Sequence, residues 1–289
     1  MSDSTYKYTL SFVTIMKFEE DHVAEWIAFH KVCGVEHFYI YDNNDSPESM
    51  AQLLKPFIDS KLITLIHWPG PVRMFEAYNN AIFRFKQESK YMMFIDADEF
   101  LVSELNELIY ETVDNMFNRL RQKNYLFNRE QVGGIGINWK VYGTSKHITK
   151  PAGLLIRNYL YRGETDINRH IKSIIDPRLV NSMGNPHFAQ YKQGYKCVSQ
   201  SGLEINGPFF DNENSSPLRI NHYFYKSEEE FKFRLKRKKA DVSISEKELS
   251  TILQAMLAEA EIYNQIEDRI ALKYAEAVES ELKQNGFSI

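Results

Sequence analysis

The chain has 289 residues, 43% of them hydrophobic, which is enough to bury the core of one large domain or of one domain with an appendage. Its formal net charge of -4 argues against a general nucleic-acid binder, because that class needs a broad basic face to replace the counterions around phosphates. The two cysteines, Cys33 and Cys197, lie far apart in the sequence, which excludes a disulfide framework and a cysteine-rich metal site.

The first hundred residues alternate between strand-like and helix-like patterns. We predict strands over residues 8–16, 37–41, 62–68 and 91–95 from their apolar and β-branched content. Helices are predicted over residues 21–33, ended by Gly34, over 47–58, whole or broken, and over 74–88. This β-α-β-α-β-α-β order predicts an α/β fold with a mostly parallel, doubly wound sheet. Ligands of such sheets bind beyond the carboxyl ends of the strands.

The pattern loosens after residue 100. A helix over 105–121 and a strand over 134–141 are followed by a segment, 143–218, rich in Gly, Pro, Asn and aromatics, which is typical of long binding loops. The basic cluster at 234–239 is interpreted as a solvated helix face in preference to an anionic-lipid contact. We predict a main domain over 1–240 and a C-terminal helical extension over 241–289.

Targeting and membrane signals are absent from the sequence pattern. No uninterrupted apolar stretch approaches the roughly 20 residues that a membrane-spanning helix requires, and the first residues do not combine a basic segment with an apolar core. We therefore expect a cytoplasmic protein, with a peripheral contact to the inner face of the membrane left open. No oligomeric state is predicted.

The most informative motif is Asp96-Ala97-Asp98, which ends an apolar strand. Because side chains two residues apart in extended chain share a face, Asp96 and Asp98 are expected to project together. Paired carboxylate oxygens are ligands that Mg²⁺ and Mn²⁺ prefer. The alternative is an acidic strand end in which Asp98 or Glu99 caps a helix.

Polar residues also follow the first two strands, and the three strand exits are expected to converge on one crevice. Lys17 and Glu19 at the first exit are candidates to line a nucleotide. Asp42 at the second exit can accept hydrogen bonds from a base N–H or a ribose hydroxyl. The alternative for residues 42–45 is a polar turn.

Several segments match one known pattern in the same order along the chain. They are Glu19-Glu20-Asp21-His22-Val23-Ala24-Glu25-Trp26 with His30, residues 34–43, residues 94–101, Asn138-Trp139 with 143–145, residues 170–174, residues 185–188, and Ile220-Asn221-His222-Tyr223 with 226–231. Over roughly residues 8 to 240 the chain resembles glycosyltransferases of the family 2-like and family 92 type. That resemblance implies the nucleotide-diphospho-sugar-binding fold called GT-A.

The resemblance implies transfer of a hexose, from a UDP-sugar above other donors, to a glycan or surface-saccharide acceptor with inversion. A Mn²⁺ or Mg²⁺ ion would act as the Lewis acid on the departing diphosphate. The resemblance places Asp98 on this metal, with Asp96 on the ribose or the metal. It makes His222 the third ligand, although a lone histidine is more often structural.

Further donor-side candidates are Arg73, Tyr78 and Asn79, which the fold would place near the base and diphosphate, with Tyr78 equally interpretable as core. Lys226 lies four residues after His222 and would reach the diphosphate oxygens if that segment is helical. Its alternative is a solvated lysine near a helix start.

On the acceptor side, inversion needs a general base, and we predict Asp166, with Glu204 and Asp211 as competitors. His170, Lys172 and His187 are expected to position the acceptor or the diphosphate, with a structural role as the alternative for His187. Trp139 would stack on a sugar face or belong to the core.

Two other classes stay open at this point. A strand ending in Asp-x-Asp also begins Asp-nucleophile phosphatases, although here the lysine and acidic pair that would complete their site is missing. A catalytically silent sugar-nucleotide-binding module is the third interpretation. P-loop, zinc-protease and serine-hydrolase classes are excluded, because no matching motif is present.

Overall fold

The computed structural model of the chain describes residues 6–123, 132–164, 168–211, 216–239 and 246–288. Its centre is a large mixed sheet with helices on both faces. The first half contains strands β1 (Tyr8–Met16), β2 (His37–Asp42), β3 (Ile63–His67) and β4 (Ser89–Phe94), and helices α1 (Val23–Val32), α2 (Glu48–Leu53), α3 (Lys55–Asp59) and α4 (Met74–Phe85). All four strands are parallel, in the order β3-β2-β1-β4. The predicted α/β class with a mostly parallel sheet is confirmed.

The second half extends this sheet. In chain order it contains β5 (Glu99–Ser103), α5 (Ile109–Lys123), β6 (Val132–Val141), α6 (Leu155–Asn158), β7 (Tyr161–Arg162), β8 (Ile171–Ile175), β9 (Val180–Met183), β10 (Ala189–Tyr191), β11 (Lys196–Val198), β12 (Glu204–Ile205) and β13 (Leu218–His222). Strand β8 runs antiparallel between β4 and β6, and β13 pairs with both β5 and β6. The segment predicted as long loops, 143–218, thus contains strands of two to five residues. Strands this short carry too few alternating positions to be recognised by periodicity.

Helix α1 is fixed to β5 through two buried aromatic side chains. The Trp26 indole N–H donates to the Glu99 carbonyl oxygen at 2.8 Å. His30 contacts the Trp26 carbonyl oxygen through Nδ1 at 2.9 Å, and its Nε2 accepts the Leu101 amide N–H at 2.9 Å. That pattern assigns a neutral imidazole with the proton on Nδ1, and burial lowers the pKa of His30 to about 3.

Gly34 ends α1, as predicted. Its φ of +100° is a conformation that residues with a Cβ rarely adopt, and an added Cβ would lie 2.9 Å from Leu108 Cβ. The Gly34 amide N–H donates to the Lys31 carbonyl oxygen at 3.0 Å. A glycine is therefore needed both for the turn and for the close approach of the segment before α5.

The C-terminal part contains α7 (Glu228–Lys239), α8 (Glu246–Ala260), β14 (Ile266–Glu267) and α9 (Ala275–Gln284). Val278 and Leu282 of α9 are buried in the main core, and β14 pairs with β7. Within the described ranges, no helix combines the length and the apolar content needed to cross a bilayer. The domain boundary at residue 240 stays a prediction.

Candidate functional site

The carboxyl ends of the four parallel strands meet at one edge of the sheet, where β1 lies between β4 and β2. The chain leaving β1 contacts the chain leaving β2: the Phe18 amide N–H donates to Asn44 Oδ1 at 3.1 Å, and Asn44 Nδ2 donates to Glu20 Oε1 at 3.2 Å. Lys17 Nζ lies 3.4 Å from Asp45 Oδ1. The first two strand exits therefore come together, as expected from the sheet order.

Asp42 ends β2 and is completely buried. Its Oδ1 accepts the Asn44 amide N–H at 3.0 Å, whereas Oδ2 is buried without a hydrogen-bond partner among the residues that the structure describes. Burial raises the pKa of the Asp42 carboxyl, and hydrogen bonding by Asn44 offsets this in part. The carboxyl thus keeps one unused acceptor at the sheet edge.

The Asp96-Ala97-Asp98 segment is a turn, so the expected extended geometry is wrong. Strand β4 stops at Phe94, and the Asp96 carbonyl oxygen accepts the Glu99 amide N–H at 3.1 Å as the chain enters β5. The helix-capping alternative is also wrong, because a strand follows the motif. As a result the two carboxylates have different partners.

Asp96 is held by a buried lysine. Lys172 Nζ, on β8, lies 2.9 Å from Asp96 Oδ2 and 3.5 Å from Glu99 Oε2, and both Lys172 and Glu99 are fully buried. Burial lowers the pKa of Lys172, but Asp96 and Glu99 raise it more, so the ammonium stays charged. Burial raises the pKa of Glu99, and Lys172 counters only part of that rise. Tyr78 completes the cluster, with its hydroxyl 3.5 Å from Asp96 Oδ1.

Asp98 has a separate pair of partners. His222 Nε2, at the end of β13, lies 3.5 Å from Asp98 Oδ1, and Arg234 Nη1, on α7, lies 2.9 Å from Asp98 Oδ2. Burial raises the pKa of the Asp98 carboxyl, but Arg234 and His222 outweigh this and hold the pKa well below its usual range. For Arg234 the interpretation as part of a solvated helix face is wrong, because its guanidinium faces Asp98.

An aromatic cluster lies beside His222. The Trp139 ring stacks on His170, with centroids 4.8 Å apart, and also contacts His187 at 5.0 Å and His222 at 4.2 Å. Burial lowers the pKa of His170, and it lowers the pKa of His187 to about 4 with a contribution from Lys172. Three residues predicted for the acceptor side, Trp139, His170 and His187, thus form one cluster that meets His222 through Trp139. Lys172 is separate from this cluster and pairs with Asp96.

A cleft runs from Asp98 toward the chain that leaves β1, and it is lined by the β1–α1 connection (18–22), by residues 224–226 and by α7. Lys226 lies in the loop before α7, so the helical reach predicted for it is wrong. Its backbone instead turns at a φ of +53°, and its Nζ lies 3.9 Å from Glu19 Oε2. Phe18, on the opposite wall, has a φ of +61°. Positive φ at two bulky residues of one cleft is a costly arrangement that is often found at functional sites.

A cluster of hydrogen bonds around Glu230 fixes the start of α7, and no role was predicted for its members. His22 Nε2 lies 2.7 Å from Glu230 Oε1, and the Tyr159 hydroxyl donates to Glu230 Oε2 at 2.6 Å. Ser227 and Glu230 form a reciprocal cap, in which the Glu230 amide donates to Ser227 Oγ and the Ser227 amide donates to Glu230 Oε2, both at 3.2 Å. The spacing Ser227-x-x-Glu230 is the sequence signal of such a capping box.

Other predicted donor-side residues lie around this edge. Arg73 precedes α4, pairs with Glu76 at 2.9 Å and places its guanidinium 5.0 Å from the centre of the Trp68 ring. Asn79 bonds both the amide and the carbonyl of Met183, so it connects α4 to β9.

The general base is not located by the structure. Asp166 lies outside the described residues. Its competitors are on the surface: Glu204, on the edge strand β12, pairs with Lys196 on the neighbouring β11, and Asp211 pairs with Arg169.

The resemblance implies a divalent cation, and the side chains that could bind it lie around Asp98. Asp98 and His222 offer a carboxylate and an imidazole side by side, while Asp96 is 37% exposed and paired with Lys172. Among the described residues, no three His, Cys, Asp or Glu side chains form a group that holds an ion unaided. Mg²⁺ is commonly bound by one or two carboxylates together with substrate phosphates. The residues therefore fit a cation that is shared with a phosphorylated substrate.

Solved structures that this chain is similar to include TarS of S. aureus in complex with UDP, 10% identical, with a TM-score of 0.41 over 86% of this chain and 70% of that chain. A mannosyltransferase from Pyrobaculum calidifontis in complex with GDP-Man and Mn²⁺ is 12% identical, with a TM-score of 0.39 over 99% of this chain and 77% of that chain. With scores this low, these likenesses carry no argument about the site.

Curated relatives include a glycosyltransferase family 92 protein of Ricinus communis, 26% identical over 232 residues, or 78% of this chain and 37% of that protein. A family 92 protein of Arabidopsis thaliana is 26% identical over 239 residues, or 82% of this chain and 39% of that protein. A galactan beta-1,4-galactosyltransferase of Arabidopsis thaliana is 31% identical over 104 residues, or 32% of this chain and 20% of that protein. The chain spans less than two fifths of the length of these relatives. The family described as glycosyltransferase family 92 matches residues 7–252, which is most of the chain, and the chain belongs to that family.

Proposed function

We propose that this chain is a metal-dependent glycosyltransferase that moves a hexose from a nucleotide-diphosphate sugar, UDP-hexose above other donors, to a glycan hydroxyl with inversion. The observation that carries the proposal is the Asp98 carboxylate, kept ionised beside His222 at the carboxyl edge of the parallel sheet. An ionised carboxylate next to an imidazole is a suitable pair of ligands for a cation bridging to a diphosphate. Membership of glycosyltransferase family 92 supports the reaction class.

On the donor side, Asp42 keeps a buried acceptor oxygen for a base N–H or a ribose hydroxyl. Asp96, which is partly exposed and anchored by Lys172, is proposed to bind the ribose or to share the cation. Asp98 and His222 would hold Mn²⁺ or Mg²⁺. Bound there, the ion supplies Lewis-acid stabilisation of the charge on the leaving diphosphate.

On the acceptor side, the cluster of Trp139, His170 and His187 is proposed to position the sugar that receives the hexose. The lowered pKa values of His170 and His187 keep both imidazoles neutral near pH 7, so each can donate or accept a hydrogen bond. Asp166 stays the proposed general base. The galactan galactosyltransferase among the relatives supports a hexose donor and a polysaccharide acceptor.

The test is a screen of UDP-, GDP- and CMP-sugars with and without Mn²⁺, following thermal stability and donor hydrolysis. We expect stabilisation by one nucleotide class in the presence of Mn²⁺, and Asp98→Ala should abolish it because the cation loses its ionised ligand. Asp59→Ala is the control, since Asp59 forms an exposed ion pair with Lys55 in α3. Cleavage of a phosphate monoester with no response to any sugar nucleotide would favour the phosphatase class. Donor binding without turnover in any acceptor mixture would favour a silent binding module.

A further inference from the structure

Arg234 reaches the cleft from the second turn of α7. Its Nη1 donates to Asp98 Oδ2 at 2.9 Å and to the Phe224 carbonyl oxygen at 3.0 Å. Its guanidinium carbon also lies 4.4 Å from the centre of the Phe224 ring. Three contacts thus fix the position of a charged group beside the carboxylate that carries the proposed function.

Most of the hydrogen-bonding capacity of this guanidinium is unused. A guanidinium has five N–H donors in one plane, and both hydrogen bonds of Arg234 come from Nη1. Neither Nη2 nor Nε bonds any residue in the described ranges, and the side chain is 35% exposed and lines the cleft. A planar pair of donors beside a cleft matches the spacing of phosphate oxygens.

The charges around Asp98 show what such an arginine would bind. Asp98 is the only anionic partner of Arg234 among the described residues, and His222 shares the same carboxylate. A divalent cation placed on Asp98 would meet the like charge of Arg234 on the same carboxylate. An anion that contacts both the cation and the guanidinium removes this conflict, and the diphosphate of a sugar nucleotide is such an anion.

We propose that Arg234 is a donor-binding residue: its guanidinium pairs with Asp98, as the structure shows, and passes to the diphosphate when a divalent cation takes that carboxylate. The proposal rests on the proposed function and deepens it, because it names Arg234 of α7 as the positively charged side chain that binds the diphosphate. It predicts that Arg234 opposes binding of the metal alone and favours binding of the metal with the nucleotide.

The experiment measures two equilibria by titration calorimetry on the full chain, Mn²⁺ alone and UDP in saturating Mn²⁺. Arg234→Met should weaken UDP binding about tenfold or more and tighten Mn²⁺ binding several-fold. Arg234→Lys should fall between the wild type and Arg234→Met for UDP, because it keeps the charge and loses the planar fork. Arg157→Met is the control, since Arg157 is also partly exposed and forms one ion pair, with Glu279 at 2.6 Å, away from the cleft.

Opposite shifts for metal and nucleotide separate this role from a structural one, because a collapsed cleft weakens both. Unchanged UDP affinity in a folded Arg234→Met protein, or parallel loss of both affinities, would overturn the inference while leaving the proposed function intact. If the wild-type chain binds no nucleoside diphosphate of any base, the proposed function fails, and the inference fails with it.

Discussion

Lys172 is the buried cation that connects Asp96 to Glu99, since its ammonium lies near both carboxyl groups. A buried ion pair contributes little over a well-packed apolar replacement, but removing only one partner leaves a buried charge uncompensated. Lys172 was expected on the acceptor side. The sequence could not show that Asp96 and Glu99 are its neighbours, because they lie far from Lys172 along the chain. They meet Lys172 only because β8 pairs antiparallel with β4.

Lys172→Met is expected to lower the free energy of unfolding by about 3 kcal/mol, because Asp96 and Glu99 lose their cation. The double variant Lys172→Met with Asp96→Asn should recover part of that loss, since the carboxylate that pairs with Lys172 at 2.9 Å is then replaced by a neutral amide. Urea unfolding followed by circular dichroism measures both. Lys196→Met, which breaks only the exposed pair with Glu204, should change stability by less than about 1 kcal/mol.

If the double variant is no more stable than Lys172→Met, the loss comes from packing, and the electrostatic explanation is wrong. A loss of Mn²⁺-dependent UDP binding in Lys172→Met at temperatures where the variant is folded would further show that Lys172 positions Asp96. Lys196→Met should bind UDP as the wild type does.

For the helices and strands, prediction succeeded where the sequence pattern is long and local. The strands β1 to β4 are runs of apolar and β-branched residues, and the helices α1 and α4 each extend over ten or more residues. The structure has all of them within a few residues of the expected bounds. The motif at Asp96 was misjudged because a strand ending in Asp-x-Asp has the same local sequence whether the chain continues or turns. Arg234 was missed because a basic helix surface gives no sign of which residue faces a carboxylate from another element.

The capping box of α7 links an element boundary to the site. Ser227 Oγ donates to Glu230 Oε2 at 2.7 Å and accepts the Glu230 amide N–H, while Arg234 lies further along the same helix. Ser227→Ala should lower the free energy of unfolding by about 1 kcal/mol, the usual cost of a lost N-cap. Ser280→Ala, at an exposed position inside α9, is the control and should be close to neutral.

Since the first turn of α7 positions Arg234, the Ser227→Ala variant should also weaken UDP binding in Mn²⁺ by a small factor, measured by the same calorimetry. If Ser227→Ala loses about 1 kcal/mol of stability but binds UDP as tightly as the wild type, the cap and the cleft are independent.

Buried ionisable groups throughout the fold give its stability a pH dependence with two opposing parts. Burial lowers the pKa of His30 to about 3 and of His37 and His187 to about 4. Because these pKa values lie below the unfolded value, the unfolded chain takes up protons first, and stability is lost as pH falls from about 6.5 toward 4.

Burial raises the pKa of Glu25 to about 7, even though the Leu155 and Ile156 amides donate to it and lower the pKa. That raised pKa contributes stability below about pH 4.5 that is lost as pH rises through 7.

Single substitutions should change this profile in opposite directions. His187→Asn keeps a donor for the Ile171 carbonyl oxygen but cannot titrate, so the loss of stability between pH 6.5 and 4 should become shallower. Glu25→Gln removes the group that gains stability on acidification, so the same loss should become steeper. Urea midpoints at half-unit pH steps from 4 to 7.5 measure both slopes, with His67→Asn as a control at an exposed histidine of the sheet edge. If His187→Asn and Glu25→Gln shift the curve by a constant amount at every pH, neither group has the perturbed titration described here. If the two slopes change in the same direction, the assignment of Glu25 as a carboxyl that is protonated near neutral pH is wrong.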